Sequence, residues 1–184
     1  TGKWIENLTD TSTVWNHQWR AHGSQPGYGV KQSSQFLISK STDDGLTWSE
    51  PRNITRQVKK EKWWLLAPGP GRGITMEDGT LVFPVEGRNE DGLQFSTIMW
   101  SKDKGENWTV GEPAYYNTNE CQVVELSDHS LMLNMRERSN RGRQEGNGRA
   151  IAVTADLGKT WTEHPTSRRA LIEPACQASL LRHD

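Results

Sequence analysis

The chain has little from which to build a conventional hydrophobic core. Only 33% of its 184 residues are hydrophobic, and Phe and Tyr number three each. No apolar run approaches the roughly 18–20 residues of a membrane-spanning helix, so no transmembrane segment is expected. No signal-like leader is present either. The chain begins without Met and reads as an internal piece of a longer protein, so the missing leader carries no weight for location. Neither sign of charge dominates: 22 basic and 23 acidic side chains give a net charge of -1, which removes the usual ground for a nucleic-acid or anionic-membrane partner. The two cysteines, Cys121 and Cys176, lack metal-like spacing and are expected to be free thiols in strands. None of the five histidines pairs at metal-ligand spacing, so no metal site is expected.

What is abundant points to strands and turns. Nine Trp can each bury a large area, which partly offsets the shortage of aliphatic residues. Seventeen Gly and eight Pro imply many reversals of direction.

One short pattern recurs. Ser41-Thr42-Asp43-Asp44-Gly45-Leu46-Thr47-Trp48 is matched by Ser101-Lys102-Asp103-Lys104-Gly105-Glu106-Asn107-Trp108. A third copy is Thr154-Ala155-Asp156-Leu157-Gly158-Lys159-Thr160-Trp161. The common form is [ST]-x-D-x-G-x-[TN]-W. Each residue type has a physical task. Asp accepts hydrogen bonds from turn N–H groups, Gly permits positive φ, Ser or Thr adds a local bond, and Trp is expected to fold under the turn. A strand-like run precedes each copy: Gln35–Ser39, Ser96–Trp100 and Ala150–Val153. Further strand pairs are read at Gly73–Met76 with Leu81–Pro84, and at Gln122–Leu126 with Leu131–Asn134. Cys176–Leu180 echoes Cys121–Glu125 and is expected to open a further unit. Units of 50–60 residues with about four strands are β-propeller blades. A β-sandwich is the alternative, but it does not call for an identical turn once per unit. About three blades are present, and three cannot close a ring of the usual 4–8.

The recurring pattern resembles the Asp box of sialidases (neuraminidases). From about Thr11 to Asp184 the chain is similar to bacterial sialidases of glycoside hydrolase family 33. The box also occurs in secreted ribonucleases, sorting receptors and xyloglucanases, and in the sialidase family it lies away from the active site, so its expected role is structural. The more specific likeness is Asn119-Glu120-Cys121-Gln122-Val123-Val124-Glu125-Leu126-Ser127-Asp128, running on to Leu133-Asn134-Met135-Arg136. It resembles the segment in which a catalytic Glu opens one inner strand and a substrate-binding Arg closes the next. The resemblance implies an all-β fold, a partial six-bladed β-propeller with blades of four-stranded antiparallel sheet. It makes residues 1–184 an internal fragment of a sialidase catalytic domain, with the three Asp boxes at 41–48, 101–108 and 154–161.

The chemistry implied by that resemblance suits these side chains. Sialic acid bears a carboxylate beside its anomeric carbon, and the planar Arg fork donates two parallel hydrogen bonds to such a group. That carboxylate repels an anionic nucleophile, and sialidases use a neutral Tyr instead. Tyr has a pKa of about 10 and needs a base. Glu120 matches the Glu that takes its proton, and Arg136 matches one of three carboxylate-binding Arg. The expected activity is that of a retaining exo-α-sialidase acting on sialylated glycans, glycoproteins or glycolipids. It would need no cofactor or metal, and by resemblance the protein would be secreted or periplasmic.

The likeness also has gaps. The family's Arg-Ile-Pro motif and acid/base Asp are not found here, and the third Arg and the Tyr are expected beyond Asp184. Tyr28, Tyr115 and Tyr116 match no nucleophile position. The chain thus supplies two of six expected groups and is expected to be inactive alone. The alternatives are a non-catalytic Asp-box propeller that binds glycans or proteins, and a propeller hydrolase of neutral polysaccharide. Several other features read as structural. Arg138, Arg141, Arg143 and Arg149 belong to a basic hairpin tip, Gly69–Gly73 to a blade connection, and Trp63-Trp64 to packing rather than a sugar platform. Arg136 itself could instead pair with Glu137 or Glu125.

Overall fold

Three antiparallel sheets, stacked in chain order and not closed on one another, make up the computed structural model, which describes residues 24–29, 33–140 and 147–183. The first sheet pairs β1 (Leu37–Ile38) with β2 (Arg52–Asn53), and a single helical turn, α1 (Thr55–Val58), follows it. The second is built on two long strands, β5 (Leu81–Arg88) and β6 (Gln94–Ser101). On one side β5 pairs with β3 (Leu65–Pro68) and then β4 (Ile74–Thr75). On the other side β6 pairs with β7 (Thr109–Val110) and β8 (Tyr115–Tyr116). The inner and outer strands of this blade are thus each interrupted, so a four-strand-wide sheet is made from six pieces. The third sheet is unbroken: β9 (Thr118–Glu125), β10 (Leu131–Glu137), β11 (Ala150–Thr154) and β12 (Thr162–Glu163), each paired with the next. This is the arrangement of a propeller fragment, as the repeat predicts.

The small apolar content is concentrated between the sheets. One cluster packs Phe36, Ile54 and Val58 of the first unit, with Trp63, against Leu66, Val85, Phe95 and Met99 of the second sheet and against Trp108. The opposite face of that sheet, with Val82 and Ile98, packs on Cys121, Val123, Leu131, Leu133, Met135, Ala150 and Ala152 of the third. Leu133 and Phe95 are fully buried; truncating a Leu at such a site to Ala costs about 2–5 kcal/mol.

The three Asp boxes form superimposable networks. In each, the Asp carboxylate accepts from the backbone N–H and side chain of Thr47, Asn107 or Thr160, and the Ser or Thr hydroxyl accepts from the Gly N–H. The residue before each Gly is left-handed: Asp44, Lys104 and Leu157 have φ of 56°, 58° and 57°. Two boxes also grip the preceding unit. Glu112 N–H donates to Gly158 O at 2.8 Å, and Arg52 donates to the carbonyls of Gly105 and Glu106. Each tryptophan folds back against the Gly of its turn, as expected, and Trp48 and Trp108 donate their indole N–H to the Gly45 and Gly105 carbonyls; their burial differs. Trp108 is buried against Phe83, whereas Trp48 is 65% exposed and Trp161 sends its indole N–H to Glu112 O.

Cys176–Leu180 forms no strand, contrary to expectation. A strand needs a ladder partner, and here the backbone is held by side chains instead: Arg149 takes Cys176 O, and Gln177 Nε2 donates to Pro70 O. Cys176 is accordingly exposed and outside any strand, while Cys121 is buried in β9; both are free thiols.

Candidate active site

Glu120 and Arg136 meet at one end of the third sheet. The β9–β10 register runs from Leu131 opposite Glu125 to Met135 opposite Cys121, then resumes at Glu137 opposite Thr118. Between the last two pairs β9 spends one residue more than β10. Asn119 and Glu120 therefore oppose Arg136 alone in a β-bulge, a device that re-aims side chains and recurs beside active sites. Its consequence is an ion pair: Arg136 Nη1 donates to Glu120 Oε2 at 2.8 Å, with both side chains about a quarter exposed (25% and 26%). Arg136 Nε is buried and has no partner among the described residues. The alternative partners are committed elsewhere, since Glu137 accepts from Arg168 and Glu125 contacts His129.

The third Asp box lies at the far end of the same sheet. Thr154, which opens the third box, aligns with Leu131 and Glu125, whereas Ala150 aligns with Met135 and Cys121 beside the ion pair. Glu120 and Glu125 are five residue steps apart along β9, about 17 Å of extended chain. This box therefore braces the strands without touching the pair.

Three groups near the pair escaped the sequence reading. Glu86 sits on β5, on the face that Val82 and Pro84 share and that packs on the third sheet. Burial raises its carboxyl above the ordinary range, and the negative charge of Glu120 pushes the same way against Arg136 and Arg88. An acidic residue on an otherwise apolar face of alternation was the signal available for it. The other two are Arg149 and Glu173, paired at 3.0 Å with side chains 4% and 0% exposed. Arg149 also donates to Asn134 Oδ1 and Cys176 O, and Glu173 accepts from the N–H groups of Glu137 and Cys176. This clip ties residues 173–176 across β10 next to Arg136. Arg149 is thus no part of a solvated loop tip. Arg138 does lie exposed there and bonds Gln94, while Arg141 and Arg143 fall outside the described residues.

The Gly69–Gly73 connection runs against β9. Pro70 O accepts from Gln122 Nε2 at 2.8 Å, and Gly71 has φ of 141°, where a Cβ would lie 1.9 Å from that nitrogen. No side chain fits at position 71 while Gln122 keeps this bond. Trp63 is buried at 4.7 Å from Phe95, and Trp64 bonds Glu90 O, so the pair packs. Burial pushes the Cys121 thiol far up, which makes it an inert core residue.

The family model described as BNR repeat-like domain matches residues 7–183. The chain belongs to that family. Among BNR-repeat relatives, a sialidase of Bacteroides fragilis is 49% identical over 182 residues, covering 94% of this chain and 32% of the relative. The solved Hadza microbial sialidase Hz136 superimposes with a TM-score of 0.78 at 47% identity, over 85% of this chain and 29% of that one. Trypanosoma rangeli sialidase in complex with sialic acid gives a TM-score of 0.55 at 27% identity, over 70% of this chain and 21% of that one. The BNR-repeat chain described here therefore spans about a third or less of each of these relatives. No helix among its described residues is long and apolar enough to cross a membrane.

Proposed function

We propose that this chain is the part of a retaining exo-α-sialidase that carries the base for a tyrosine nucleophile and one arm of the carboxylate clamp. The observation that carries the reading is the 2.8 Å Glu120–Arg136 contact, set across a bulge at an accessible end of the sheet. Its sialidase relatives support the same assignment. Glu120 engages Arg136 through Oε2, which leaves Oε1 to accept the phenolic proton as Tyr attacks the anomeric carbon. Arg136, held at the correct azimuth by that bond, presents its remaining N–H groups to the substrate carboxylate. Substrates are sialylated glycans, glycoproteins or glycolipids, and the protein works outside the cytoplasm, secreted or periplasmic. The other Arg, the acid/base Asp and the Tyr come from outside these 184 residues, and the isolated chain is inactive.

The test is made in the full-length protein. Glu120→Gln and Arg136→Ala should each nearly abolish sialoside hydrolysis. Unchanged kcat and KM in Arg136→Ala would remove the sialidase reading and favour a hydrolase of neutral polysaccharide. A full-length protein that binds sialosides without turning them over would be a non-catalytic propeller.

A further inference from the structure

We propose that Glu77, Glu125 and His129 form a site for one divalent transition-metal ion of the zinc class, placed where the second and third sheets meet and remote from the Glu120–Arg136 pair. The three ligand atoms come from two hairpin turns and lie within 4.8 Å of one another. His129 Nδ1 is 3.3 Å from Glu77 Oε2 and 3.2 Å from Glu125 Oε1. A tetrahedral ion with bonds of about 2.0–2.1 Å needs neighbouring ligand atoms about 3.3 Å apart, which is the spacing of His129 Nδ1 from each of the two carboxylates. One imidazole and two carboxylates also suit a borderline ion, whereas calcium and magnesium take oxygen-rich sets. Two carboxylates match the ion's charge, and water completes the coordination.

One of the three ligands is held in place before any ion arrives. Glu125 is largely buried, with its side chain 12% exposed, and its Oε2 accepts the Glu77 N–H at 2.9 Å. This fixes Oε1 toward His129 and supplies the outer hydrogen bond that metal-ligating carboxylates require. The open cleft around them, about 640 Å³, is lined by Met76, Trp100, Leu131 and Leu157 together with Lys102 and Lys159, and the Glu77 and His129 side chains are exposed and free to adjust to an ion.

The two turns differ in one instructive place. Met76–Thr80 and Leu126–Ser130 have the same hydrogen bonds: the fourth residue's N–H returns to the first carbonyl, and the first N–H goes to the fifth carbonyl. The left-handed fourth position is Gly79 in one turn, with φ of 85°, and His129 in the other, with φ of 63°. Glycine adopts that conformation at no steric cost, whereas His129 does not. The third sheet keeps an imidazole where the second keeps the residue that the turn prefers, and that imidazole lies between two carboxylates.

The experiment uses the full-length protein stripped with EDTA. Zn²⁺ is titrated in at near-neutral pH against a chromophoric chelator, and Co²⁺ binding is followed by its visible absorption. The expected result is one equivalent bound. His129→Gly and Glu77→Gln should each weaken binding by at least about tenfold. His129→Gly should do so while the metal-free protein melts at the same or a higher temperature, because glycine suits the turn. His164→Ala, away from the cluster, should bind as the parent does. Absence of stoichiometric binding would overturn the proposal. Unweakened binding in His129→Gly would overturn it equally, by placing the ion elsewhere.

Discussion

Arg136 donates to Glu120 across 2.8 Å because β9 carries one residue more than β10 at that point. In an unbroken antiparallel ladder each residue has a single opposite neighbour, and one of Asn119 and Glu120 would face away from Arg136. The bulge brings both alongside it. Asn119 is held by its own contacts, its carbonyl accepting from Ser96 and its amide lying 3.5 Å from Gln94 Oε1. The bulge is therefore tied down from the neighbouring sheet, and Glu120 is aimed as a consequence.

A base and a clamp fail in different ways, and kinetics on the full-length protein can tell them apart. Glu120→Gln keeps the size and the hydrogen bond to Arg136 but cannot take a proton. It should lower kcat by roughly 10²–10⁴ with little change in KM. Arg136→Lys keeps the charge but loses the planar fork. It should raise KM and lower kcat/KM, and this loss should be larger for sialosides than for any substrate lacking the carboxylate. Equal effects of the two substitutions on kcat and KM would remove the separate roles.

Much of the architecture was legible because it is local. An Asp box closes within eight residues, so three copies could be read directly, and the strands before them follow from alternation. The Glu120–Arg136 spacing of 16 residues was likewise readable, because a hairpin converts sequence distance into contact. The rest depends on long-range placement. The Arg149–Glu173 pair spans 24 residues and exists only because residues 173–176 fold back over β10. Cys176–Leu180 shares the Cys-Gln start of Cys121–Glu125 but has Ala178 and Ser179 where the other has Val123 and Val124, and only the latter found a ladder partner. Trp48 and Trp108 occupy the same place in their motifs, and their different burial is decided by what packs on each turn.

The box aspartates make a pH prediction. Hydrogen bonds from the Asn107 backbone and side chain, and from Ser101, hold the Asp103 carboxyl down to about 2 from an ordinary 3.8. A carboxyl depressed in the folded state adds stability above its unfolded value, and that stability is lost as pH falls through the folded value. The melting temperature of Asp103→Ala should therefore lie below that of the parent near neutral pH. The deficit should shrink as the pH falls from about 4 to about 2. A deficit that stays constant over that window would mean that the ionised carboxylate does not act through these bonds.

The Arg149–Glu173 clip is a test of buried charge. With both side chains nearly inaccessible, removing one partner strands the other in the interior. Arg149→Met should destabilise the protein by about 3–5 kcal/mol in urea unfolding. The double variant Arg149→Met/Glu173→Leu should recover much of that loss, because two apolar side chains leave no unpaired charge. If the double variant is as unstable as the single one, the cost arises from the lost bonds to Asn134 and Cys176 O rather than from the stranded carboxylate.

Glu86 gives a pH effect of the opposite sign. Burial first, and then the charge of Glu120, raises its carboxyl above the ordinary 4.5, so the folded protein holds this proton more tightly than the unfolded chain does. Stability is therefore lost as pH rises from the unfolded value to the folded one, and the penalty persists above it. Glu86→Gln removes the ionisation and should melt higher than the parent at neutral pH, with the advantage vanishing below about pH 4. Equal melting temperatures of Glu86→Gln and the parent at neutral pH would mean that burial between the sheets does not penalise the ionised carboxylate.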